Sequence, residues 1–146
     1  MTICTLGKKA LFGNIAGQSM ILNEYGQVVQ SVWQAIPDHF SHVNNEVFVV
    51  MPNHVHGIIV IGHNERAGFK PAPTKGYALG DIVRAFKTFS SRQINEMRKS
   101  TGAAVWQRNY YEHVIRSEED YHEIGEYILD NPAQWEVDHD NPGNKR

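Results

Sequence analysis

The chain has 146 residues, a length that suits one domain rather than two. It is 41% hydrophobic and 21% charged, which excludes a largely disordered chain. Its formal net charge is −2, its single cysteine (Cys4) leaves no internal disulfide, and no apolar run approaches the roughly 20 residues of a membrane helix. The opening MTICTLGKK lacks the basic, apolar and small-residue order of a secretory signal, so a reducing cytoplasm is the expected compartment.

In chain order, Met1–Thr5 is β-prone. Leu11–Ile15 and Met20–Leu22, joined through Ala16-Gly17, predict a hairpin. Asn23 is a good helix N-cap, and Val28, Val29, Val32, Trp33 and Ile36 recur at helical spacing until Pro37. Glu46–Met51 and His54–Ile61 predict a second hairpin, turned at Pro52-Asn53. Residues 63–77 are rich in Gly, Pro and charge and predict a long loop. Leu79–Arg98 predicts a helix with Ile82, Val83, Phe86, Phe89 and Ile94 on one face. Val105–Ile115 predicts a strand, best over Tyr111–Ile115. Ser117 then caps a helix with acidic residues in its first turn, and Pro132 ends it just after Asn131.

Strand, helix, hairpin, helix, strand, helix is the order of an α+β, ferredoxin-like (RRM-like) sandwich: an antiparallel sheet with helices on one face, plus a C-terminal helix carrying Tyr127. The expected domain is 1–137, with 138–146 a polar, frayed tail.

The small net charge hides an asymmetry. Residues 66–108 carry nine basic side chains and only Asp81 and Glu96 against them, whereas residues 112–140 carry ten acidic ones against Arg116. A basic surface would attract phosphates, but two helix faces of opposite sign attracting each other explain the pattern equally well.

Three clusters carry candidate chemistry. His54 and His56 alternate in a strand, so both imidazoles project from one face and Val55 from the other. Paired histidines suit a divalent metal, although the pair alone leaves a structural role open. Ile58 stands where a histidine-triad hydrolase would need a third histidine. Tyr127 and Asn131 lie four residues apart, on one helix face. A phenol can be a nucleophile and an amide oxygen can ligate a hard cation. Equally, Tyr127 can pack in a buried stripe with Tyr121, Ile124 and Ile128, and Asn131 can cap the helix. Trp106, Arg108, Tyr110 and Tyr111 mix aromatics with a cation, which fits base stacking and phosphate binding as well as a buried strand.

The segments VFVVMPNHVHGIIVI and WQRNYYEHVIRSEEDYHEIGEYILDNPAQW, in this order around a basic helix, resemble the HUH single-tyrosine transposases, most of all the branch associated with repetitive extragenic palindromes. The resemblance runs from about residue 20 to 137, and the PNHVH and Y-I-x-x-N-P motifs lie about 70 residues apart. It implies His54 and His56 as metal ligands and Tyr127 as nucleophile. It places Asn131 where many relatives carry a metal-holding glutamine. The implied cofactor is Mg²⁺ or Mn²⁺, and imidazole suits Mn²⁺ better. The implied reaction is cleavage and rejoining of single-stranded DNA beside a hairpin through a 5′-phosphotyrosine. A phenol is mostly protonated at neutral pH, so a cation or base must assist it. Arg84, Lys87, Arg92, Arg98 and Arg108 are candidate phosphate contacts, and Trp106, Tyr110 and Tyr111 candidate stacking residues. Both a monomer and a homodimer are compatible with the family. The alternatives are a catalytically inactive or domesticated hairpin-binding protein on the same fold, and a small-molecule metalloenzyme using only the histidine pair.

Overall fold

The computed structural model describes residues 1–62 and 79–144. The expected loop at 63–77 lies outside the described residues. No helix among the described residues is long and apolar enough to cross a membrane.

The fold is α+β. A three-stranded antiparallel sheet has the order β1 (Thr2–Cys4), β5 (His54–Ile61), β4 (Val43–Val50). A separate hairpin, β2 (Gly13–Ala16) with β3 (Ser19–Leu22), is inserted between β1 and the first helix, where the sequence predicts it. Helix α1 (Glu24–Gln34) starts at Asn23, whose Oδ1 accepts from the Gly26 N–H at 2.9 Å. Pro37 does not end the helical stretch. It sits in the first turn of a short second helix, α2 (Ile36–His39), where its missing N–H leaves no hydrogen bond unmade.

Val55 and Gly57 face α1 and helix α3 (Leu79–Met97), and this side holds the main core. Ile3, Val29, Trp33, Val55, Ile82, Val83, Phe86 and Ile94 are buried together. Each such side chain contributes roughly 1.5–3 kcal/mol on burial. Gly57 is required here: a Cβ would lie 2.4 Å from Cη2 of Trp33. The Trp33 indole occupies the space a side chain would need.

The opposite face carries helix α4 (Glu118–Asp130), capped by Ser117, whose Oγ accepts from the Asp120 N–H at 3.1 Å. A register shift in β4 gives it a seat. Asn45 pairs with Ile59 and Phe48 with Gly57, so Glu46 and Val47 together oppose Ile58. This one-residue bulge turns both toward α4. Glu46 accepts a short hydrogen bond from the Tyr121 hydroxyl, and a Cβ on Gly125 would sit 3.7 Å from Val47.

The strand expected at Tyr111–Ile115 does not form. Beyond β1 the chain pairs only at Thr5↔Trp106 and Thr2↔Tyr111. Between those bridges, β1 advances three residues and its partner five, so residues near 107–109 loop out. Lys87 gathers the displaced carbonyls: its Nζ donates to Gln107, Arg108 and Asn109 oxygens at 2.8, 3.1 and 3.4 Å. With β1 only three residues long, no strand among the described residues pairs with 112–115.

The polar tail is not frayed at its start. Asp138 and Asp140 are buried, and Asp140 forms an ion pair with Lys8 at 2.7 Å. The domain therefore continues past 137. Lys8 meets the Asp140 carboxylate, and Asp138 Oδ1 accepts from the Asp140 N–H at 2.8 Å, which offsets part of the lost hydration.

Candidate metal centre

The tight turn at Met51–Asn53, closed by the Met51 N–H on the His54 carbonyl at 2.8 Å, starts β5 and aims His54 and His56 at the α4 side. Their Nε2 atoms lie 3.1 Å apart. Asn131, buried at the C-terminal cap of α4, brings its Oδ1 to 3.4 Å from the His54 Nε2. The shorter amide thus reaches the histidine pair. Four residues earlier, Tyr127 stands with its ring centroid 5.7 Å from that of His56. It is 53% exposed, so it is not part of a buried stripe; Gly125 and Ile128 fill that role.

Each imidazole has a second partner on its far nitrogen. Nδ1 of His56 meets the Thr2 hydroxyl at 2.8 Å, and Nδ1 of His54 meets Oδ1 of Asn53 at 2.7 Å. Asn53 is fully buried. Its Nδ2 donates to the Asp140 carbonyl at 2.7 Å and to the Lys8 carbonyl at 3.2 Å. The Trp135 ring lies 6.1 Å from that of His54.

Burial makes both imidazoles neutral. It lowers the His54 pKa below its ordinary value, with the nearby Asp140 and Asp138 opposing. His56 is pushed down to about 3, by burial first and then by the charge of His54 and the amino terminus. Neutral imidazole is the form that ligates metals. Two imidazole nitrogens and an amide oxygen therefore lie close together, a donor set that could hold a divalent metal ion. Asp138, His139 and Asp140 also bring ligand atoms within 4.8 Å of one another. Asp140 there already holds Lys8, and burial raises its carboxyl pKa less than Lys8 and the neighbouring histidines lower it.

The candidate DNA contacts separate into two groups. Trp106 is core: it is buried, packs on Phe12 and Phe86, and its Nε1–H donates to Ser90 Oγ at 3.0 Å. Burial excludes it from stacking on a base. Lys87 is occupied by the loop carbonyls, and Tyr110 lies beneath it, 5.9 Å from ring centroid to Nζ. Arg98 braces Asn95 and the Ala104 carbonyl, and Arg84 pairs with Asp81 at 3.6 Å. Arg92 and Arg108 line a groove of about 610 Å³ between α3 and the 101–108 segment. Tyr111 is 66% exposed on the sheet edge.

Asn53, Thr2, Lys8 and Asp140 are the contributors that sequence reasoning missed. Asn53 reads as turn punctuation, and the D-H-D of 138–140 as a solvated tail; neither has a local pattern that signals burial.

No family model matches the chain. It is 42% identical over 151 aligned positions to an uncharacterized protein of Haemophilus influenzae, the match covering 94% of this chain and 81% of that protein. Identity at that level along nearly the whole chain means that this protein belongs to one family with the Haemophilus influenzae protein.

Proposed function

We propose that this chain is a metal-dependent HUH-type transposase or nickase that cleaves and rejoins single-stranded DNA beside hairpins. The observation that carries the reading is the convergence of His54 Nε2, His56 Nε2 and Asn131 Oδ1 beside the exposed Tyr127. The strand order supports a ferredoxin-like sandwich: β1 lies between β5 and the 106–111 segment, and β4 forms the far edge.

His54, His56 and Asn131 would hold Mn²⁺ or Mg²⁺, which when bound polarises a non-bridging phosphate oxygen. Tyr127 supplies the nucleophile. Its Oη bonds to phosphorus and the bond from phosphorus to the 3′ oxygen breaks. The products are a 5′-phosphotyrosine and a strand ending in 3′-OH. The phenol proton leaves through water, which the half-exposed ring admits, and the departing oxygen takes one up. Attack by another 3′-OH reverses the step, so rejoining needs no ATP. Arg92 and Arg108 would bind phosphates, and Tyr111 would stack on a base. Tyr127 beside His56 of its own chain supports a working monomer. The expected compartment is the cytoplasm, where DNA is available.

The test uses end-labelled single-stranded hairpins from the flanks of the gene, with Mn²⁺, Mg²⁺ or EDTA. The expected result is an SDS-resistant protein–DNA adduct that needs metal and is lost in Tyr127→Phe and His56→Ala. Hairpin binding with no adduct under any metal would replace this reading by a non-catalytic binder. Neither binding nor adduct across a wide hairpin panel would end the DNA reading.

A further inference from the structure

We propose that Asn53 is a positioning residue, which fixes the proton of His54 on Nδ1 so that the Nε2 lone pair faces the cation pocket. The inference rests on the reading of that pocket as a divalent-cation site.

The argument starts from two backbone carbonyls. Those of Lys8 and Asp140 can only accept hydrogen bonds, and both lie against the same end of the Asn53 side chain, at 3.2 and 2.7 Å. That end is therefore the NH₂ group. The other end is the amide oxygen, which can only accept, and it lies 2.7 Å from His54 Nδ1. Nδ1 must carry the hydrogen. A neutral imidazole has one N–H, so Nε2 is left with a lone pair. This nitrogen points at His56 Nε2 and Asn131 Oδ1.

Side-chain chemistry makes asparagine the residue for this place. Aspartate would set a carboxylate against two carbonyl oxygens. Leucine has the shape but neither donor nor acceptor. Glutamine is one methylene too long for a fully buried position. His56 lacks such a lock, because the Thr2 hydroxyl donates or accepts with equal ease. Free to exchange tautomers, His56 can donate to His54 when the pocket holds no cation, and then turn its own lone pair inward when one enters. His54 is the fixed member of the pair. Lys8 supports the arrangement at one remove, since its ammonium holds the Asp140 side chain whose backbone carbonyl orients Asn53.

Long-range proton–nitrogen correlation spectra of imidazole-labelled, EDTA-treated protein read the tautomer directly. The expected wild-type result is His54 with hydrogen on Nδ1. In Asn53→Leu, His54 should move toward the Nε2–H form, and Mn²⁺ affinity should fall about 10–100-fold, the usual effect of removing a group that orients a ligand. Lys8→Met, which leaves Asn53 in place, should show a smaller loss of the same kind. The wild-type spectrum needs no variant, so a misfolded Asn53→Leu does not block the test. Hydrogen on Nε2 of His54 in the wild type overturns the positioning role, as does undiminished Mn²⁺ affinity in folded Asn53→Leu. Absence of Mn²⁺ binding by a wild type with the expected tautomer overturns the cation reading instead, and the role with it.

Discussion

His54 and His56 turn their Nε2 atoms toward each other at 3.1 Å, yet they are anchored differently: His54 by the amide of Asn53, His56 by the hydroxyl of Thr2. Two neutral imidazoles that face one another form one weak hydrogen bond at best. A cation between them, with Asn131 as third donor, would use both lone pairs.

Mn²⁺ should therefore stabilise the fold. A ligand that binds only the native state adds about 2.7 kcal/mol at a hundredfold excess over Kd. Thermal melts with Mn²⁺ and with EDTA should differ by several degrees in the wild type and coincide in His54→Ala. A wild-type melt indifferent to Mn²⁺ would remove the cation site.

Metal-free stability should depend on pH well above the carboxylate range. Burial pushes the His56 pKa down to about 3 in the folded chain, against about 6.5 when unfolded, and lowers that of His54 in the same direction. Between those values the unfolded chain binds more protons, so stability falls as pH drops from about 6.5 toward 3. Asp140, whose pKa is depressed on folding, adds its loss below its ordinary value of 3.8. Urea titrations in EDTA between pH 7 and 4 should show a falling midpoint, with a shallower fall in His56→Gln. A flat profile from pH 7 to 5 would contradict the burial of neutral imidazoles.

The two aromatic candidates should behave oppositely. Trp106→Ala removes a buried indole and should cost about 3–5 kcal/mol of stability. Tyr111→Ala, on the exposed edge, should leave the melt almost unchanged and weaken single-stranded DNA binding by about 1–3 kcal/mol. Equal DNA affinity in Tyr111→Ala and wild type would take that residue out of the interface.

The basic residues should divide in the same way. Arg92→Ala should lower the salt dependence of DNA binding by about one unit of slope, with stability kept. Lys87→Met strips three carbonyls of their donor, two of them open to water, and should cost about 0.5–1.5 kcal/mol of stability. If Lys87→Met instead left stability intact and reduced the salt slope, its ammonium would be a phosphate contact after all.

Periodicity made much of this fold legible. The helical spacing of Val29, Val32 and Trp33 and of Ile82, Val83 and Phe86 marks faces that the structure buries, and the alternation around Val55 sets the histidines on the other side. What escaped is polar and non-local. The bulge that turns both Glu46 and Val47 toward α4 depends on pairing with β5, which no local window contains. Lys87 looks like a surface cation until the displaced carbonyls of residues 107–109 surround it. Asp140 looks like tail until Lys8 and Asn53, distant in the chain, meet it. Trp106 could have been assigned either way from sequence, because an aromatic beside a cation fits an interface and a core alike.

The contact between Asn53 and the Asp140 carbonyl has a consequence for biosynthesis. A ribosome delivers Thr2, Asn53 and both histidines long before it delivers residue 140. Until then the Asn53 amide has only the more distant Lys8 carbonyl to orient it, and its hold on the His54 proton is weaker. The pocket thus cannot be completed before residue 140 has been made. A product of premature termination upstream of Asp140 would carry both histidines and Asn53 without the carbonyl that lies nearest the Asn53 amide.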